Sequence, residues 1–302
     1  MSFLDNSGQK VGDNSNAIQV AGNFNAGNTT TEVIAICNLV VSTQMAALRQ
    51  EAQEEARLRA TEFGSQIVEK LSSEVESIVM DKLGDPDIQY AMNQSVIQVA
   101  RKGLGAKSDL LKELIVSKIK NNQEETDLLI DHALEITQRL TTSELKFLSV
   151  IYYFRFCIKN SNNTTLNKII ENSDENYCEN GIDKHYCRTI FNTIYNNPSI
   201  DFDRITDGTE KITPINLTML DIKGCITSDK HYTKDYFSIF SERTGIEINK
   251  NEHAEFRKRF PVIADLLDNF GIKDLEEFNS AVLSPLGTII SENYLRAREF
   301  FQ

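Results

Sequence analysis

No stretch of eighteen uncharged apolar residues occurs in the sequence, and no basic segment followed by an apolar one stands at its start. A membrane-spanning helix or a secretory leader is therefore not expected. Positive charge is scarce: 32 Lys and Arg stand against 44 Asp and Glu, a net charge of −12. That balance argues against a protein whose whole surface coats nucleic acid or an anionic membrane. The five cysteines (Cys37, Cys157, Cys178, Cys187, Cys225) are scattered, odd in number and without CxxC spacing, which fits a reducing compartment better than a disulfide framework. These absences together predict a cytoplasmic protein without a membrane span.

Catalytic signatures are missing as well. The sequence holds no HExxH and no GxSxG, so neither a zincin helix nor a nucleophile elbow is available. Gly103-Leu104-Gly105-Ala106-Lys107-Ser108 invites comparison with a phosphate loop, but Ala106 stands where that loop needs Gly before Lys, and Arg101 stands where it needs the earlier Gly. Cys178, His185 and Cys187 could supply three zinc ligands, yet their spacing matches no standard knuckle, and Tyr177, Tyr186 and Ile190 explain the same stretch as a packed helix face. No catalytic residue, metal or cofactor is expected.

What is present begins with residues 8–28. Gln9–Ala17 set over Ile18–Ala26 brings Val11 onto Val20, Asn14 onto Asn23, Asn16 onto Asn25 and Ala17 onto Ala26, a nine-residue near-repeat. Each copy reads as a short strand followed by Gly, Asn and Asp residues that tolerate a sharp turn. Two such strands are marginal alone and leave unpaired edges. Stacked in register with copies of themselves they would pair every backbone group, with Asn and Gln side chains forming ladders. Gln9, Val11, Asn14, Ile18, Gln19, Val20, Asn23, Phe24 and Asn25 are the expected self-assembly residues.

Between Glu32 and Lys82 there is no Pro and one Gly, Gly64, which predicts a single helix of about fifty residues. Its apolar residues recur every eleven positions: Ile34, Met45, Ala56, Ile67 and Ile78, with Val41, Ala52 and Phe63, and with Cys37 and Leu48. Such a period gives a nearly straight stripe. Ile34, Val41, Met45, Leu48, Ala52, Ala56, Phe63 and Ile67 are the expected packing residues of a stem.

The rest reads as helices. Asp85-Pro86 is a helix start, followed by a face of Ile88, Ala91, Met92, Ser95, Val96 and Val99. Leu110, Leu111, Leu114, Ile115 and Ile119 mark the next helix. Thr141 and Glu144 form a capping box before Leu145–Ile158, a helix so apolar that it must be surrounded. The fold class expected is mainly α: a β self-assembly tract over residues 1–30, a stem over 31–83, a helical core domain over 84–160 and a smaller, mostly helical C-terminal domain over 161–302. Ser284-Pro285-Leu286-Gly287 is similar to the closing helix start of winged-helix-like domains. Lys250, Arg257, Lys258 and Arg259 make a basic cluster that could touch phosphates.

The tract Asn16–Asn25 resembles the homotypic interaction motif of necroptosis kinases and its bacterial amyloid-signalling relatives: Ile18, Gln19 and Val20 match, while Ala21 stands where Gly is expected and Gly22 falls one place late. Gly12–Ser15, Ile18-Gln19, Asp85–Ala91 and Leu140–Phe156 carry a wider likeness to an uncharacterised bacterial family with a Gly-Asp-Asn-Ser…Ile-Gln opening and a helical body. That resemblance implies a place in bacterial anti-phage defence or stress signalling. The function expected is a non-enzymatic homo-oligomerising scaffold whose partner is itself, or a further protein held on the tract or the helical body. The alternative is a DNA-binding regulator that uses the C-terminal region.

Overall fold

The computed structural model describes residues 29–46, 48–72, 76–157, 199–208, 212–227, 233–239, 256–259 and 261–300. Among them it is mainly helical, with thirteen helices and one two-stranded antiparallel sheet. The chain divides after Arg101 into two compact units. The self-assembly residues Gln9 to Asn25 lie outside the described residues.

In the first unit the expected single long helix is three helices: α1 (Thr29–Gln44), α2 (Gln50–Leu71) and α3 (Glu76–Leu83). α1 and α2 fold back on each other as a hairpin. Thr61 Oγ1 lies 3.4 Å from Asn38 Oδ1, and Gly64 faces Val33, Ile34 and Cys37. No Pro or Gly breaks the chain at 45–49, so packing decides. A straight helix would leave its stripe in water, whereas the hairpin buries Val33, Ile36, Cys37, Val40 and Val41 of α1 and Ala56, Ala60, Phe63 and Ile67 of α2. Each large side chain so buried is worth about 1.5–3 kcal/mol, which exceeds the few helical hydrogen bonds lost at the turn. Local chemistry assists, because the Ser42 and Thr43 hydroxyls donate to the Leu39 carbonyl at 2.9 and 2.8 Å and compete with backbone donors.

Gly64 sets how closely the hairpin packs. A Cβ there would stand 2.9 Å from Cys37 Sγ and 3.1 Å from Ile34 Cδ1. Gly64→Ala is expected to be near neutral, since about 1 kcal/mol of helix propensity offsets that contact. Gly64→Val adds two methyls with nowhere to go, and denaturant unfolding should show a loss of about 1–3 kcal/mol. A Val variant as stable as the parent would contradict the close approach.

The remaining helix of this unit, α4 (Pro86–Lys102, its last residue lying beyond the division), starts as expected. Asp85 Oδ1 accepts from the Asp87 amide at 2.9 Å. Ile88, Ala91, Met92, Ser95, Val96 and Val99 form its buried face.

The second unit is built around α7 (Thr142–Phe156). Its expected capping box is present: Thr141 Oγ1 accepts from Glu144 N at 3.1 Å, and Glu144 Oε2 accepts from Thr141 N at 2.6 Å. Leu145, Phe147, Leu148, Val150, Ile151 and Phe154 are buried. α5 (Ala106–Lys120) and α6 (Glu124–Thr137) pack on each other, and α13 (Pro285–Ala297) lies across α5, α6 and α7. α8 (Ser199–Thr206) also packs on α7. Phe147 meets Phe270 and Phe278 edge-on at 5.3 and 6.0 Å, which ties the end of α11 (Pro261–Asn269) and α12 (Leu275–Asn279) to the same core. The small helices α9 (Leu217–Ile222) and α10 (Phe256–Arg259) complete the described set.

β1 (Ile226–Thr227) pairs with β2 (Val282–Leu283), Ile226 opposite Leu283. A strand ending near Ile226 is expected from sequence, whereas Val282 is expected to close a helix. That helix instead stops at Asn279, and both residues of β2 are buried.

Candidate functional site

Of the eight stem residues, Val41, Met45, Ala56, Phe63 and Ile67 are buried and Ile34 is half-buried. Leu48 and Ala52, near the hairpin turn, are exposed. The stripe is thus used largely within the chain, by the hairpin. Burial pushes the Cys37 thiol up to about 12, which makes it an inert core group and not a reactive one.

The basic cluster is differently placed from its sequence reading. Arg257 puts both guanidinium nitrogens on Asp268, at 2.5 and 2.6 Å, and also donates to the Lys273 carbonyl at 2.5 Å. Asp265 and Asp274 are near enough to add to the acidic surroundings. A guanidinium so engaged is a poor phosphate contact. Lys250, and the side chains of Lys258 and Arg259, lie outside the described residues. So do Cys178, His185 and Cys187.

The polar groups the structure does bring together were not apparent from sequence, and all three clusters lie in the second unit. Lys118, only 1% exposed, donates to Asp127 at 2.7 Å and pairs with Asp131 at 2.8 Å, clamping α5 to α6. Lys223, following α9, places its ammonium 2.7 Å from both oxygens of the capping residue Glu144. The third cluster joins α7, α8 and α13. Lys146, 2% exposed, donates to the Thr206 carbonyl and stands 3.7 Å from Asp207. Arg298 donates to Asp207 at 2.9 Å, with its guanidinium carbon 3.7 Å from the Tyr294 ring centroid. The Tyr294 hydroxyl donates to the Ile205 carbonyl at 2.9 Å. Arg204 donates to the Arg298 carbonyl and lies 4.3 Å from the Phe300 ring centroid.

A signal for these was available. If a helix such as α7 must be surrounded, a lysine inside it, Lys146, must be surrounded too, and a buried ammonium needs a partner. Chemically the clusters are acid–base pairs that lock helices together. Among the described residues none combines a nucleophile with a base and an oxyanion donor.

The described chain is therefore a mainly helical protein in which no helix is long and apolar enough to cross a membrane. A family model matches residues 27–280, most of the chain, so the chain belongs to the family of that model, an uncharacterised one. Comparison with curated proteins and with solved structures finds no match.

Proposed function

We propose that the chain is a non-enzymatic scaffold that assembles with copies of itself through residues 8–28, in bacterial defence or stress signalling. The nine-residue near-repeat Gln9–Ala17 over Ile18–Ala26 carries this reading. Stacked strands rise about 4.7–4.8 Å each, too little for a helix, which needs about 8–10 Å between axes. Two copies of the repeat in each chain double the rise to roughly 9.5 Å. That allows α1, which begins at Thr29 directly after the tract, to follow every chain in the stack without collision. The repeat number and the helix thickness agree, which a single copy would not permit. Val11, Ile18, Val20 and Phe24 supply the dry contacts, and Gln9, Gln19, Asn14, Asn23 and Asn25 the ladders.

Ile18→Asp tests it. Stacking would set a like charge from each chain into one row, and sedimentation velocity should show the assembly reduced to its smallest species. An unchanged oligomer in the Asp variant would contradict the proposal.

A further inference from the structure

From Asn14 to Leu48 the sequence holds one charged residue, Glu32. Its hairpin partner α2 carries eight, so Glu32 belongs to no solvated charged face. It lies in the first turn of α1, directly after the tract. One of its carboxyl oxygens, Oε2, is sealed from solvent and meets no donor. α1 packs on α2 and α3. The hairpin sets Gly64 against Val33 and Ile34, so the last turn of α2, with Glu69 and Lys70, lies toward Glu32. α3 adds Glu76, Asp81 and Lys82, and on α1 itself the other titratable group is the Cys37 thiol, which burial keeps neutral. None of these supplies a donor to Oε2, and burial holds the Glu32 carboxyl above the usual carboxylate range. The dipole of α1 favours an acid in its first turn, but a fully exposed carboxylate would gain as much. A carboxyl with one oxygen sealed and unbonded is easier to protonate than an exposed one.

We infer that Glu32 is a proton-operated brake on the stacking of this chain. The inference rests on the assembly reading above. Chains that stack by translation bring each residue that follows the stack into a row, so ionised Glu32 side chains would stand about 9.5 Å apart. That is close to the screening distance of roughly 8–10 Å at moderate salt, and partial burial weakens the screening further. Two unit charges so placed repel enough to shift an equilibrium about two- to twentyfold, for an effective dielectric between about 80 and 20. Stacking therefore raises the Glu32 pKa above its value in the free chain. The repulsion is absent below the free-chain pKa, where both states are protonated, grows between the two values and is complete above the assembled one. Assembly is thus strengthened as pH falls and weakened as pH rises. One proton per chain bounds the slope at about tenfold in concentration per pH unit.

The test is sedimentation velocity of the full chain over a dilution series, at constant ionic strength and from about pH 5.5 to about pH 7.5, reading the concentration at half-assembly. That of the parent should rise with pH. Glu32→Gln should assemble at a concentration about two- to twentyfold lower at the upper pH, with a shallower rise. Glu32→Lys keeps a row of like charge that does not titrate in this range, so it should lose the slope without the gain. Glu51→Gln, which removes an equal charge from the exposed start of α2, should follow the parent. A parent that assembles and an Ile18→Asp chain that does not, with Glu32→Gln matching the parent in both concentration and slope, would overturn the brake and leave the assembly reading standing. A Glu32→Gln chain that assembles more weakly than the parent would overturn the brake as well. A parent that assembles at no pH would overturn both.

Discussion

Gly287→Ala should be among the most destabilising single methyl additions this chain can suffer. A Cβ at that position would stand 1.9 Å from the Cys225 carbonyl oxygen and 3.0 Å from its carbon. The obstacle is backbone, so no side-chain rotation relieves it. The close approach exists because two hydrogen bonds fasten the start of α13 to the segment before β1, and a third, within the cap of α13, holds Gly287 on Ser284. Ser284 N donates to the Cys225 carbonyl at 3.1 Å, Ser284 Oγ donates to the Gly224 carbonyl at 2.5 Å, and Ser284 Oγ accepts from Gly287 N at 3.0 Å. Admitting a methyl means moving α13 away from β1 by more than an ångström, which breaks the register of Ile226 with Leu283. Overpacking commonly costs about 1–3 kcal/mol, and a backbone collision belongs at or above the top of that range. A thermal melt should place the second unit's transition roughly 6–12 °C lower. Ser284→Ala, which removes only the cap, should cost about 1 kcal/mol. A Gly287→Ala chain that melts with the parent would show that the two segments are not held together.

Glu144→Ala has a comparable expected effect by a different route. One buried carboxylate caps α7 and neutralises Lys223, whose side chain is 13% exposed. Its removal leaves the Thr141 amide without an acceptor and an ammonium largely out of water. Lys107 makes matters worse. Burial, with Lys102 and Lys223, already holds its ammonium below the usual lysine range, and Glu144 is the group that opposes this. Removing one partner of a buried pair costs about 3–5 kcal/mol. Glu144→Gln keeps an acceptor for the cap and should lose less. Combining Glu144→Ala with Lys223→Met should recover a large part of the loss, because the stranded charge is gone. Chemical denaturation of the parent, Glu144→Ala, Lys223→Met and the double variant gives the coupling directly. Strict additivity would mean that the pair does not interact.

The helix starts were legible in the sequence because their chemistry is local. Asp85-Pro86, the Thr141/Glu144 box and Ser284-Pro285 each satisfy donors within three residues. The inward face of α4 was legible for the same reason, since one periodic stripe names its own burial. The hairpin was not. Met45 to Arg49 contain no breaker, and a stripe suited to packing on another copy is equally suited to packing on itself. Only the antiparallel match of Gly64 with Cys37 decides between them. Nor could local reading find Lys146 with Thr206, or Glu144 with Lys223, whose partners lie 60 and 79 residues away. Arg257 illustrates the converse. In sequence it belongs to a basic run, while in space it belongs to Asp268.

Solution mass, by light scattering on a sizing column, of the full chain beside a chain that starts at Thr30 tests the central claim most directly. Because α1 and α2 already bury their stripes against each other, the shortened chain has little reason to associate. The account predicts a defined oligomer or filament for the full chain and a monomer for the shortened one. Equal masses for the two would contradict it.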